Sequence, residues 1–530
     1  MHHTAHIKHI QPQSCDAREY DELNRMQDAE AATGEPVKDF GDVPGDLPAN
    51  PPAAETDGAV LNPADPMPTA RLFRRTHFAH PDCATLHFKG GVFYGWDCAL
   101  AKYSELDLSA VRAKVYSYLE PARKLVTRGK VSQFVPFAPN RGSVDNAVDA
   151  LRAVSHLQGD APKWLRDDPG IPDAKEILAT PAGLLYLPID GSPRIIRPPT
   201  PLFFSFNSLD YAYDPAAPTP LEWLKFLDVL WPDDRESIEL LQDWFGYCLL
   251  PLTYLQKMLL IVGPPRSGKG TIARVLTAMM GAANVCAPTL SGLATNFGLW
   301  SLIGKLLAIV SDARLSGRTD LAVVVERLLS ISGEDSLTID RKNLEPVTVR
   351  LPTRVMILTN ELPRLSDASG ALANRFMVLT LERSFLGHED PGLTDRLLGE
   401  LPGILNWSLG GLHRLRRRGH FVQPTTSDEA IAEMNDLASP VGAFIRDNGR
   451  VGPALSVPVS DLFESWKLWC KEQGRDQPGT LQVFGRDVRA AIPGIGMSRP
   501  RAGEERQRRY EGIALTPAAE NAVLTSRGYL

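Results

Sequence analysis

The 530-residue chain has no uninterrupted apolar run near the roughly 18 residues a membrane span needs. Its N-terminus also lacks the apolar core and small-residue cleavage site of a secretory signal. A cytoplasmic protein with no membrane partner is therefore expected. Cysteine is scarce. Cys15, Cys83, Cys98, Cys248, Cys286 and Cys470 are scattered, with no close pair suited to zinc and no framework for an oxidising compartment. A surplus of positive charge is missing as well: 57 Lys and Arg against 63 Asp and Glu leave a net charge of -6. That balance argues against a protein that coats nucleic acid with its whole surface, and it directs attention to local basic elements. His2, His3, His6 and His9 are followed by no carboxylate or cysteine at a fixed spacing, so no metal site is expected there.

Large apolar residues are rare from Gly34 to Ala70, where Pro44, Pro48, Pro51, Pro52, Pro63, Pro66 and Pro68 fall, so residues 1–71 are expected to be an unfolded tail. From Leu72 the pattern changes. Leu86 to Phe88, then Lys89-Gly90-Gly91, then Val92 to Trp96 predicts a hairpin, and Leu108, Val111, Val115, Tyr118 and Leu119 predict a helix with one buried face. Strand-like pieces at Gly183 to Leu187 and Phe203 to Phe206 complete a mixed α/β unit over 72–215. Two helices, Trp223 to Leu230 and Ile238 to Cys248, lead into a unit over 216–425. There, short apolar runs alternate with loops and helices, as in a parallel sheet covered on both faces. A third unit over 436–520 has helical stretches at Val459 to Gln473 and Leu481 to Ala491. Two short strands then bracket Arg499, Arg501, Arg506, Arg508 and Arg509, a winged-helix pattern.

Within the central unit, Met258-Leu259-Leu260-Ile261-Val262 is a buried strand that empties into Gly263-Pro264-Pro265-Arg266-Ser267-Gly268-Lys269-Gly270-Thr271. Ile272, Val275, Leu276 and Met279 follow at helical spacing. Strand, glycine-rich loop and helix in this order make a P-loop: backbone N–H groups face phosphate oxygens, Lys269 neutralises β/γ charge, and the helix adds its positive end. Gly270 stands where Ser or Thr usually meets Mg²⁺, so Thr271, one residue later, is the candidate metal ligand. Three further strand ends supply the rest of an ATPase. Leu306 to Val310 ends next to Asp312, which suits a Walker B carboxylate on Mg²⁺, although Ser311 replaces the acid that often precedes it and leaves the general base unassigned. Val355 to Leu358 ends in Thr359-Asn360, where an amide can bond γ-phosphate and the lytic water. Asn374-Arg375 precedes the strand Phe376 to Leu381, at an edge where the guanidinium can serve a neighbouring subunit's nucleotide.

Gly263 to Thr271, Leu306 to Asp312, Leu337-Thr338-Ile339-Asp340-Arg341-Lys342-Asn343 and Ile357 to Pro363 together resemble the superfamily 3 helicase core of phage, satellite-phage and poxvirus primase-helicases. Phe93-Tyr94-Gly95-Trp96 through Pro215 resembles the domain preceding that motor. Trp466 to Gly474 and Tyr510 to Leu515 resemble its C-terminal winged helix. The resemblance implies an AAA+-like α/β fold, ATP and Mg²⁺, a homohexameric ring and 3′ to 5′ translocation on single-stranded and forked DNA. It also implies a hairpin whose tip, Arg341, Lys342 and Asn343, enters the channel. Such proteins often carry a primase ahead of the motor. Residues 1–71 do not suit one, so a separate primase and polymerase are expected partners. Two other classes share parts of the pattern: an initiator or loader that uses ATP only as a switch, and a small-molecule kinase with a similar Gly268-Lys269-Gly270-Thr271 loop.

Overall fold

The computed structural model describes residues 58–189, 194–311, 321–363, 371–498 and 507–528. Asp312, Arg499, Arg501 and Arg506 lie outside them.

Folded structure begins upstream of Leu72, which corrects the expected tail boundary. Val60 bridges to Arg123, Leu61 is buried, and a helix runs from Pro66 to His77. The proline that looked like a breaker sits in that helix's first turn, where its missing N–H would be unpaired anyway. Met67, Ala70 and Phe73 then place one face on the core. Strands Leu86–Lys89 (β1), Val92–Asp97 (β2) and Lys102–Leu106 (β3) form an antiparallel sheet in chain order. Gly90 and Gly91 turn the first hairpin with φ of 58° and 84°, the left-handed backbone that a two-residue connection requires. Helix Leu108–Leu119 buries Val111, Val115, Tyr118 and Leu119, as their spacing predicts; Leu108, at its first position, is exposed instead.

The sequence pattern did not reveal Arg123–Arg128 (β4) and Val131–Pro136 (β5), which pair only with each other. Further on come Lys163–Trp164 (β6) and the small sheet of Ile177–Thr180 (β7), Gly183–Tyr186 (β8) and Arg194–Arg197 (β9). Phe203–Phe204 (β10) pairs back with β6.

The central sheet is parallel and five-stranded. Its strands are Met258–Val262 (β11), Val285–Cys286 (β12), Leu307–Ser311 (β13), Arg354–Thr359 (β16) and Phe376–Thr380 (β17), in the spatial order β12-β13-β16-β11-β17. Alternate residues enter different cores: Leu259 and Ile261 pack with helices Leu221–Leu230, Arg235–Tyr247 and Leu401–Arg418, whereas Met258 and Leu260 pack toward helix Leu321–Ser332. Each such fully buried aliphatic side chain contributes about 1.5–3 kcal/mol, which is why these strands read as unbroken apolar runs. Helices Arg235–Tyr247 and Leu401–Arg418 approach backbone to backbone. A Cβ on Gly246 would lie 2.4 Å from the Ser408 carbonyl oxygen, and one on Gly411 would lie 2.3 Å from that of Gln242. The fully buried Asp243 carboxylate ties the pair, accepting from Arg414 at 2.6 Å and from Arg418.

An antiparallel hairpin, Ser336–Arg341 (β14) and Leu344–Arg350 (β15), leaves this unit just before β16. The C-terminal unit contains the two expected helices, Val459–Glu472 and Leu481–Ala491. The sequence reading missed the helix Pro440–Asn448 and the strand Gly449–Pro458 (β18) that precede them. β18 pairs with Arg509–Leu515 (β20), which in turn pairs with Gly496–Ser498 (β19). Among the described residues no helix is long and apolar enough to cross a membrane.

Candidate active site

The five parallel strands all point their C-terminal ends at one edge, where ligands of open α/β sheets bind. β11 runs out through Val262 into the loop 263–268, and the helix Lys269–Met280 begins at once. Two glycines make this turn possible. A Cβ on Gly263 would stand 2.6 Å from the Leu381 carbonyl oxygen. Gly268 has φ of 96°, and a Cβ there would also press on Leu230 at 2.9 Å. Gly268 caps the helix without a side-chain bond, and the backbone N–H groups of Ser267, Gly268, Lys269 and Gly270 have no acceptor among the described residues. Several donors thus converge at a positive helix end, an arrangement suited to an anion.

The Lys269 ammonium folds back over the loop, donating to the carbonyl oxygens of Gly263 at 2.5 Å and Pro264 at 2.8 Å and to the Ser267 hydroxyl at 3.1 Å. Partial burial lowers its pKa. The segment after β17 braces the outside of the loop: Phe385 N–H donates to Arg266 O at 2.9 Å, and the Ser384 hydroxyl donates to Pro265 O at 2.7 Å. Arg383 lies over the Phe385 ring.

A cleft of about 790 Å³ opens beside the loop, lined by Pro265 to Thr271 and by Asn360. Asn360 arrives there because β16 lies next to β11 in register, Val262 opposite Thr359. One strand further along, Ser311 ends β13 opposite Leu358 and is exposed. Asp312 is the next residue in the chain. Thr271 lines the cleft, and its hydroxyl accepts from Arg274 at 3.0 Å. The Thr271 hydroxyl is an oxygen donor of the kind a divalent cation takes, while Asp312, the other candidate ligand, lies outside the described residues. Among the described residues no cluster of three or more His, Cys, Asp or Glu is arranged to hold a metal alone.

Sequence reasoning missed the far wall. Helix Leu221–Leu230 contributes Glu222, Lys225, Phe226 and Val229, and the segment after β17 contributes Phe385, His388, Glu389, Asp390 and Leu393. Arg266 faces Glu389 at 3.6 Å, and Arg396 reaches both Asp390 at 2.5 Å and Glu222 at 3.5 Å. The only available hint was the position of the Trp223 to Leu230 helix, one element ahead of the sheet.

The other predicted site residues lie elsewhere. Arg375 ends a short 3-10 turn and precedes β17 at the opposite edge of the sheet, about 15 Å along the strand from the phosphate-side edge. Its guanidinium donates to the Ser332 hydroxyl at 3.2 Å. In the β14–β15 hairpin, Arg341 pairs with Leu344, so Lys342 and Asn343 form the turn and Asn343 takes a φ of 61°. Arg341, read from the sequence as part of the tip, is held at its base: it donates to Glu345 O at 2.6 Å and to Gly90 O at 2.6 Å. In the C-terminal unit Arg508 is exposed, whereas Arg509 is drawn into the sheet by bonds to Ser456 at 3.1 and 3.3 Å.

Fold and cleft together define a mixed α/β protein built on a parallel sheet with a ligand-sized opening at its C-terminal edge. Residues 261–375, from the end of β11 to Arg375, match a family described as "Family of unknown function (DUF5906)". Among solved structures, the chain is similar to the apo structure of the NrS-1 C terminal region (305-718). The identity is 13% and the TM-score 0.46, covering 81% of this chain and 96% of that one. A similar match joins it to the A form apo structure of the NrS-1 C terminal region, at 12% identity and a TM-score of 0.43, with 81% and 96% covered.

Proposed function

We propose that the chain is an ATP-driven replicative DNA helicase of the superfamily 3 kind, assembled as a homohexameric ring. The observation that carries this reading is the cleft that joins the glycine-rich loop, Lys269 and Asn360 at one edge of a parallel sheet. In this reading, the N–H groups of the P-loop and Lys269 hold the β- and γ-phosphates of ATP. Thr271 and Asp312 hold Mg²⁺, and Asn360 orients water. Arg375 stands at the far edge of its own sheet, as a residue serving a neighbour's cleft would. Such a finger supplies about 10³ to 10⁵ in rate. Lys342 and Asn343 touch DNA backbone in the channel. The helix-strand-helix-helix-strand-strand order of residues 440–515 supports reading this unit as a winged helix, in which Arg499, Arg501, Arg506 and Arg508 would meet duplex DNA and Arg509 would support the sheet.

The expected result is ATP hydrolysis that rises when single-stranded DNA is added, and that falls by roughly 100-fold or more in Lys269→Ala. Equal turnover with and without DNA would contradict translocation. Ser311, in the place of an acid, favours one second reading, an initiator that binds ATP as a switch and hydrolyses it slowly; that reading expects no such stimulation.

A further inference from the structure

The β4–β5 hairpin belongs to no part of this site. Its root is tied to the first core: Arg123 N–H donates to Ala59 O, Arg123 O accepts from Leu61 N–H, and Phe137 N–H donates to Ala122 O. Among the described residues, beyond the root the two strands bond only to each other. They therefore form an arm with two open faces, which a short ribbon rarely presents without something to cover it.

Two properties of the arm point to the same occupant. The first is charge of one sign. From Pro121 to Val144 the chain carries Arg123, Lys124, Arg128, Lys130 and Arg141 and no Asp or Glu, in a protein whose net charge is -6. Arg123 and Lys124 donate to nearby carbonyl oxygens and Arg141 faces Asp145. The side chains of Arg128 and Lys130, at the tip, have no hydrogen-bond or ion-pair partner among the described residues. The second is exposed apolar surface on both faces of the ribbon. Leu125 and Phe134 sit directly opposite each other at 53% and 52% exposure, and Val131 is 68% exposed. Leu125 and Phe134 share one face of the ribbon and Arg128 and Val131 the other, and Lys130 sits in the turn that joins them, so the aromatic ring and the tip cations are about 10 Å apart along the strand but on different faces.

We propose that this hairpin is a second nucleic-acid-binding element, taking a single strand that crosses its tip, with phosphates on Arg128 and Lys130 and a base against Phe134 on one face. A phosphate chain matches a surface of one sign along its whole length, and every base has a face that stacks on an aromatic ring. A protein surface of mixed sign does neither.

The test is fluorescence anisotropy of a labelled, mixed-sequence single-stranded oligonucleotide with the full chain, without ATP, over a series of salt concentrations. Omitting ATP separates this proposal from the motor reading, because Lys269→Ala should bind as the wild type does. Replacing Arg128 and Lys130 together by Ala should lower the slope of log K against log salt by about 1.4, two lost phosphate contacts on a single strand. Phe134→Ala should weaken binding about tenfold, and Phe134→Trp should retain it. The pair Arg128→Lys with Lys130→Arg should keep the wild-type slope, and circular-dichroism melts verify that each variant folds. An unchanged slope, or unchanged affinity in Phe134→Ala, overturns the proposal. So does unaltered DNA binding with a fall in sedimenting mass, which would assign the arm to contacts between copies of this chain.

Discussion

Lys269 shows how a single side chain can be read from sequence while its surroundings cannot. Its place after Gly268 and before an amphipathic helix is a matter of spacing, and spacing survives in the sequence. The carbonyl oxygens it touches are not marked by any spacing, and the Leu230 side chain that a Cβ on Gly268 would press on comes from a helix some forty positions earlier. His87 is a second case, and no pattern announces it. It lies buried between the rings of Tyr103 and Phe204 with Nε2 unpaired, and burial, reinforced by Arg74 and Lys163, lowers its pKa to about 4. A histidine depressed in the fold binds its proton more readily when unfolded. Its contribution is therefore fully present above pH 6.5 and is lost as pH falls toward about 4. We expect stability to drop by up to about 3 kcal/mol over that interval, and His87→Gln to flatten the dependence. Denaturant melts at a series of pH values check this, and parallel profiles for both proteins would dismiss the residue as the cause.

At the scale of elements, the strongly patterned pieces were legible and the weakly patterned ones were not. β11, β13, β16 and β17 are apolar on both faces because both faces are covered, so each stands out as a run. The β1–β2 hairpin is marked by the two glycines its turn demands. β4 and β5 are almost wholly exposed, so no alternation distinguishes them, and the helix at Pro66 was masked by proline-rich composition. The β14–β15 hairpin was found, but its pairing was not: alternation cannot say that Arg341 reaches the Gly90 carbonyl, which belongs to a distant segment. That contact ties Arg341 to the first unit and leaves Lys342 and Asn343 as the turn. On the proposed reading Lys342→Ala leaves basal ATP hydrolysis within about twofold of wild type while unwinding collapses, since it would remove a phosphate contact and nothing in the protein's own packing. Normal unwinding by this variant, measured on the same DNA, would take the hairpin out of the mechanism.

For the whole molecule, the sheet order has a consequence that no single element carries. Asn360 and the phosphate loop share one edge because β16 neighbours β11, and Arg375 occupies the other edge because β17 runs parallel to both. If Arg375 acts on nucleotide, it acts on that of an adjoining subunit. Arg375→Ala should then reduce hydrolysis by at least about 10³ while nucleotide still binds. Mixing it with Lys269→Ala should restore activity, as sites form between an intact loop and an intact arginine. No recovery on mixing would leave Arg375 a structural partner of Ser332. Sequence alone could place these residues at strand ends but could not give the order of the strands, because that order is fixed by helix packing on both faces and by loop lengths rather than by local propensity.

The most direct measurement is strand separation by the purified full chain on a forked DNA duplex with ATP and Mg²⁺. The account predicts unwinding that requires ATP hydrolysis, is absent in Lys269→Ala and falls sharply in Lys342→Ala. ATP consumption with no strand separation under any nucleotide or salt condition would contradict it.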